Sequence, residues 1–354
     1  MRLALVISSL TLLFSICLLV AATFVFRLER IRTERKTLIY QDNLRKLLVK
    51  FLSEDLNPSE LARLKKIRSA DLDKLSDSLL SKVKGRAKDI LVSFLESRGA
   101  VDEAIQRTRK PGCVGRCRAA LFLGNIATTE AQRPLEYMLS DVRRDVRITA
   151  ARSLGQLQRP ESIPALLASA EDHHRDIPFG TLLLAVLRIG MPGIPGLQTG
   201  LHSQSEKTRA LSVEALGLLR SLENTNELVN MLLSDPSLDV RIRCARALGR
   251  IGSNGGVDPL ISTLSENQPT VLKLISCGSL AEIGDTAAIP HLMDLLCGSD
   301  NQVARRAAFA IARLGTPGVE ALHTCISTSA PGSRYAIEVL TTVEIKGQEA
   351  FQRG

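Results

Sequence analysis

The side chains with the greatest chemical reach are few and scattered. Five histidines, His173, His174, His202, His291 and His323, could ligate a metal or move a proton. His173 and His174 precede Arg175 between two apolar stretches, a position that faces water. Cys113 and Cys117 are four apart and can share one helical face. They could bind metal or cycle between thiol and disulfide, but no second ligand pair has the spacing of a tetrahedral zinc site. Arg147 and Arg241, each two residues after an aspartate (Asp145, Asp239), could cradle an anion. Their recurrence at one register points instead to a structural ladder, each Arg pairing with an acidic group or a carbonyl of the neighbouring unit. Gly249-x-x-Gly252-x-x-Gly255 follows no strand, so it is no dinucleotide loop. A Gly-x-Ser-x-Gly elbow, a Gly-x-x-x-x-Gly-Lys-Ser/Thr loop and a His-Glu-x-x-His pair are all missing from the sequence. On these residues the chain carries no catalytic group, no metal and no cofactor, and is read as a protein other than an enzyme.

What would position such residues is a repeat. A segment of the form Val-Arg-x-x-Ala-x-x-x-Leu-Gly recurs, followed by a short turn and a second apolar stretch with Pro near its start; residues 145–155 and 239–249 are its clearest copies. With the final Gly as register, equivalent positions are Gly124, Gly155, Leu187, Gly217, Gly249, Ala281 and Ala312, with a partial copy near Thr341, spaced 31, 32, 30, 32, 32, 31 and 29 residues apart. No unit of that size buries its own apolar faces, so the units must stack. Ala150, Ala151, Ala245, Ala247, Ala307 and Ala308 suit close approach of neighbouring first helices. The register glycines suit close packing and the exit turn, and Pro134, Pro164, Pro195, Pro259 and Pro290 suit the first turn of each second helix. The third unit, with Ile177-Pro178-Phe179-Gly180, lacks Val-Arg, which predicts a bend or an irregular turn there, and 332–354 reads as a cap.

These units resemble HEAT-like repeats of the bilin-lyase type over about two-thirds of the chain. The resemblance implies an α-solenoid of paired antiparallel helices whose second helices line a concave face. Related repeats that house a di-iron centre carry His-Glu dipeptides at repeat spacing, and this chain has none.

Ahead of the repeats, Leu3 to Phe26 runs 24 residues without a charge. At a rise of about 1.5 Å per residue that length crosses a bilayer core of about 30 Å. Arg27, Arg30, Arg32, Arg35 and Lys36 follow it, against Arg2 before it. The positive-inside rule then puts the N-terminus outside and the repeats in the cytoplasm, on a single-pass anchor. Cleavage after Val20-Ala21-Ala22 is the alternative, giving an exported soluble solenoid. Residues 27–110 carry 21 basic and 13 acidic residues, whereas 111–354 carry 24 of each. The excess therefore sits beside the apolar segment, which argues for a membrane surface and against nucleic acid. Aromatics make up 3% of the chain with no Trp, too few for a base-stacking platform.

The expected architecture is all-α: a transmembrane anchor (1–26), a basic helical neck that could be degenerate repeats (27–110), and an α-solenoid of HEAT-like helix pairs (111–354). The expected partner surface is a mixed row on the second helices: Tyr137, Gln198, Asn230, Ser262, Met293 and His323, with His291 and Asp294. The expected function is a membrane-anchored scaffold binding another protein, an accessory of envelope or polysaccharide machinery; the alternative is a bilin-lyase-type enzyme acting on a tetrapyrrole.

Overall fold

The computed structural model describes residues 23–24, 27, 40, 42–53, 57–67, 80, 82–171 and 176–346. The anchor segment 3–26 therefore lies almost wholly outside the described residues, as do His173 and His174. Among the described residues every regular element is helical, and no single helix is long and apolar enough to cross a membrane. The chain divides into two compact units between Glu103 and Ala104.

The first unit holds helical residues 42–52, α1 (Pro58–Lys66) and α2 (Arg86–Ser97), with α3 (Ala100–Thr108) at the division. Helix α1 starts where the sequence says it should. Pro58 occupies the first turn, and the Asn57 N–H donates to Glu60 Oε2 at 3.2 Å. A hydrogen bond from Lys50, and then that from Asn57, holds the Glu60 carboxyl below its usual range. Arg98 donates to the carbonyls of Leu64 and Ile67 and so closes the far end of α1. Leu44, Leu48, Leu64, Leu91 and Leu95 form the core, edged by the Phe51 and Phe94 rings, whose centroids are 5.0 Å apart.

The second unit is a two-layer stack. The first helices are α4 (Cys113–Ile126), α6 (Arg144–Leu157), α8 (Phe179–Ile189), α10 (Glu206–Leu218), α12 (Leu238–Ile251), α14 (Thr270–Ile283) and α16 (Asn301–Arg313). The second helices are shorter: α5 (Gln132–Met138), α7 (Ile163–Glu171), α9 (Ile194–Leu201), α11 (Thr225–Ser234), α13 (Val257–Ser262), α15 (Ile289–Leu296) and α17 (Thr316–Ser327); α18 (Ser333–Lys346) ends the stack. Leucine, isoleucine and alanine from both layers fill one continuous core.

The register glycines serve close approach. A Cβ on Gly124, Gly155, Gly217 or Gly249 would stand 2.7 to 2.8 Å from the Cα of Ser153, Ala185, Ala247 or Ser279 on the next first helix. The exit turn falls three residues later, on Ala127, Gln158, Gly190, Arg220, Gly252, Gly284 and Gly315, all with positive φ. The second helices meet one another sparingly.

The arginine ladder is present. Arg116 forks onto Asp141 at 2.8 and 2.9 Å, and Arg209 onto Asp235 at 2.7 and 3.0 Å. Arg147 donates to the carbonyls of Asp141, Val142 and Asp176, and Arg241 to the Leu232 carbonyl and Gln268 Oε1. These arginines are committed to joining units.

Unit three departs where its sequence does. Leu187 occupies the register where neighbours carry Gly, and α8 and α10 meet less extensively than the first-helix pairs before and after them. The Arg243 guanidinium of α12 reaches past α10 to stack over the Phe179 ring of α8, 4.6 Å from its centroid.

Candidate functional site

Two concavities on the second unit carry polar side chains of interest. The first is a cleft of about 420 Å³ between α13 and α15 and the loops that follow each. Ser262, Glu266, Lys273, His291, Asp294 and Asp300 line it. Asp300 caps α16, accepting from the Gln302 and Val303 amides at 2.9 and 3.2 Å, and the Val303 bond foremost holds its carboxyl below the usual range. Lys273 Nζ donates to the Glu266 carbonyl at 3.0 Å, and Ser262 Oγ to the Pro259 carbonyl at 2.7 Å. That leaves His291, Asp294 and the Glu266 carboxylate, all exposed and hydrogen-bonded to no described side chain, as the groups free to meet a ligand. The arrangement can accept and donate hydrogen bonds to a polar surface. It pairs no nucleophile with a base.

The expected row is only partly one surface. Ser262, His291 and Asp294 share this cleft. Tyr137 is 82% exposed on α5, and Asn230 and His323 are exposed on α11 and α17, while Gln198 on α9 and Met293 on α15 are half-buried. Leu167, at the same register on α7, is buried, so the row is interrupted at the second unit of the stack. His202 lies off the row, with Nε2 2.6 Å from Glu227 Oε1.

The second concavity, about 410 Å³, opens on the first-helix side between α6 and α8. Leu183 and Leu184 form its floor, and Arg152 and Arg188 flank it. None of these residues stood out by type or spacing. Their signal is one of layer: the seven first helices carry 16 Lys and Arg against five Asp and Glu, the seven second helices one against six. The count can be made on the sequence once the repeat register is in hand.

Among the described residues no group of three or more His, Cys, Asp or Glu could hold a metal ion. The six described cysteines carry free thiols.

A stack of helix pairs with a 31-residue period, small residues between first helices and an arginine ladder defines an α-solenoid of HEAT type. The chain matches the HEAT-repeat family over residues 101–178, 194–276 and 225–309, and it belongs to that family. It is 31% identical over 235 residues to the phycocyanobilin lyase subunit alpha of Synechococcus elongatus, an alignment covering 56% of this chain and 80% of the relative. Among solved structures, Kap121p superposes with a TM-score of 0.51 at 13% identity, over 86% of this chain and 40% of that one, which shows the fold. The CpcE–CpcF complex of phycocyanin lyase from Nostoc is similar at 20% identity and a TM-score of 0.27, over 66% of this chain and 91% of that one.

The relative corrects one expectation. The chain was read as a protein other than an enzyme because no catalytic cluster stands out in it, yet a chain 31% identical across most of its length is a lyase subunit. A missing cluster in one chain decides nothing when the similar protein is one subunit of an enzyme.

Proposed function

We infer that this chain is a protein-binding subunit, its solenoid holding a partner polypeptide along an exposed layer. The observation that carries this reading is its likeness, across 80% of the relative's length, to a protein that is itself a lyase subunit. Stacked repeats expose long helix faces, which is what holding another chain requires. The same relative favours a second reading, in which the assembly performs lyase-type chemistry on a tetrapyrrole attached to or delivered to that partner. A membrane tether through Leu3–Phe26, with the repeats in the cytoplasm, belongs to the proposal. It is supported by the uncharged run and the five basic residues after it.

The test is affinity purification of the full chain from native membranes in mild detergent, with mass spectrometry and an absorbance scan of the eluate. A stoichiometric protein, lost when residues 113–331 are removed, is the expected result. A visible absorption band from a bound chromophore would favour the tetrapyrrole reading, and an eluate with neither would overturn both. A reporter active only outside the cytoplasm, fused after Gly354, is expected to stay silent; a bright signal would reverse the orientation.

A further inference from the structure

The charge of residues 111–354 is neutral in sum and divided in space. Of the 16 basic residues on the first helices, Arg116, Arg147, Arg209 and Arg241 belong to the ladder. Arg243 and Arg250 are taken by Glu214, and Arg305 by Glu338. Arg152 and Arg188 are exposed and, like Arg118, Arg144, Lys207 and Arg306, pair with no carboxylate among the described residues. What sets them apart is that both line one concavity with exposed leucine. Between them lies Leu184, 63% exposed where a soluble surface would carry a polar group, with Leu183 beside it. Leu121, 40% exposed, stands at the same register one unit before Arg152, so the strip reads Leu, Arg, Leu along successive first helices. Leu187 stands at the register Gly position, and α8 and α10 pack less extensively than the neighbouring first-helix pairs at this end of the strip.

We propose that the first-helix face of units two and three docks an acidic amphipathic polypeptide segment, its apolar side chains on Leu183 and Leu184 and its carboxylates on Arg152 and Arg188. This rests on the protein-binding reading and names the chemistry and place of the partner. Charge complementarity selects the sign, since guanidiniums with no internal carboxylate are free to make forked bonds to an incoming one. The leucine floor selects polypeptide over nucleic acid. A phosphate backbone gains nothing from exposed Leu, and the exposed Glu282 interrupts the basic face that it would track.

The probe is a fluorescein-labelled peptide of alternating Glu-Glu and Leu-Leu pairs, titrated by fluorescence anisotropy against the full chain in anionic-lipid nanodiscs, with empty nanodiscs as blank. The Arg152→Glu/Arg188→Glu double variant and, separately, Leu184→Asp are each expected to weaken binding at least tenfold, while Asp258→Lys on the other layer leaves it unchanged. Circular dichroism melts matching the parent keep a folding defect from being mistaken for lost docking. Binding indifferent to both first-helix variants overturns the proposal, and so does an oligothymidine that binds as tightly as the peptide. If a native partner is recovered while the peptide fails to bind, the docking assignment falls and the protein-binding reading stands.

Discussion

Cys277 of α14 shows how burial alone sets a side chain's behaviour. Desolvation pushes its thiol up to about 12, and Cys244 of α12 is pushed up further by the same cause. Both folded values lie above the 9.0 of a free thiol, so the contribution to stability is complete below that value and is lost as pH rises through the folded one. Urea titrations at about pH 8 and about pH 10.5 should therefore show stability falling at up to about 1.4 kcal/mol per pH unit for each thiol. Cys277→Ala should flatten that slope; an unchanged slope would show that other groups cause it. Glu214 of α10 is the electrostatic counterpart. It is 7% exposed and accepts from Arg250 Nη1 at 2.6 Å and Arg243 Nη1 at 3.2 Å. Glu214→Ala should cost about 2 kcal/mol, the low side of a buried-pair loss because both guanidiniums reach solvent. A chemical-denaturation midpoint that does not move would contradict the network's role.

At the scale of the element, each first helix depends on two positions three residues apart that do different work. The register Gly lets the next helix touch its backbone, and Gly217→Ala would drive a methyl to 2.7 Å from Ala247 Cα. Overpacking of that kind costs about 1–3 kcal/mol and should lower the melting temperature. The exit residue takes the left-handed conformation, and Ala127 does so with a side chain at φ 59°. Ala127→Gly should relieve the Cβ clash and stabilise the protein by about 1 kcal/mol; a fall in melting temperature would place the strain elsewhere. The period and the helix ends were legible in the sequence because small residues, Pro and Gly recur at fixed offsets. The division of labour between Gly124 and Ala127 was not, since both a close contact and a left-handed turn favour the same residue type. The site was legible only in fragments. Which first-helix side chains stay exposed depends on contacts between helices far apart in the chain, so the residue types of Arg152, Leu184 and Arg188 alone do not mark them.

For the whole stack, stability is a sum of units and of the interfaces between neighbours, so one weak interface decides where it opens. Four first-helix junctions are closed by backbone approach at Gly124, Gly155, Gly217 and Gly249. The junction of α8 with α10 has Leu187 instead. Its bridges are α7 and α9 packed against α10, the Thr208 hydroxyl on the Leu167 carbonyl and Glu171, and the Arg243 guanidinium over Phe179. Native-state hydrogen exchange in denaturant below the global transition should therefore resolve two blocks, 113–189 and 206–313, that open separately. Arg243→Ala removes the ring contact, worth about 0.5–1 kcal/mol at a partly exposed site, together with its bond to Glu214. It should widen the gap between the denaturant dependences of the two blocks while leaving amides within 113–157 unchanged. A single isotherm shared by all the core amides would mean that α7 and α9 make this junction as strong as its neighbours. The docking strip on α6 and α8 would then lie on an uninterrupted stack, whereas two blocks would place it at the edge of the one ending at Ile189, where an incoming segment could stabilise the seam as it binds.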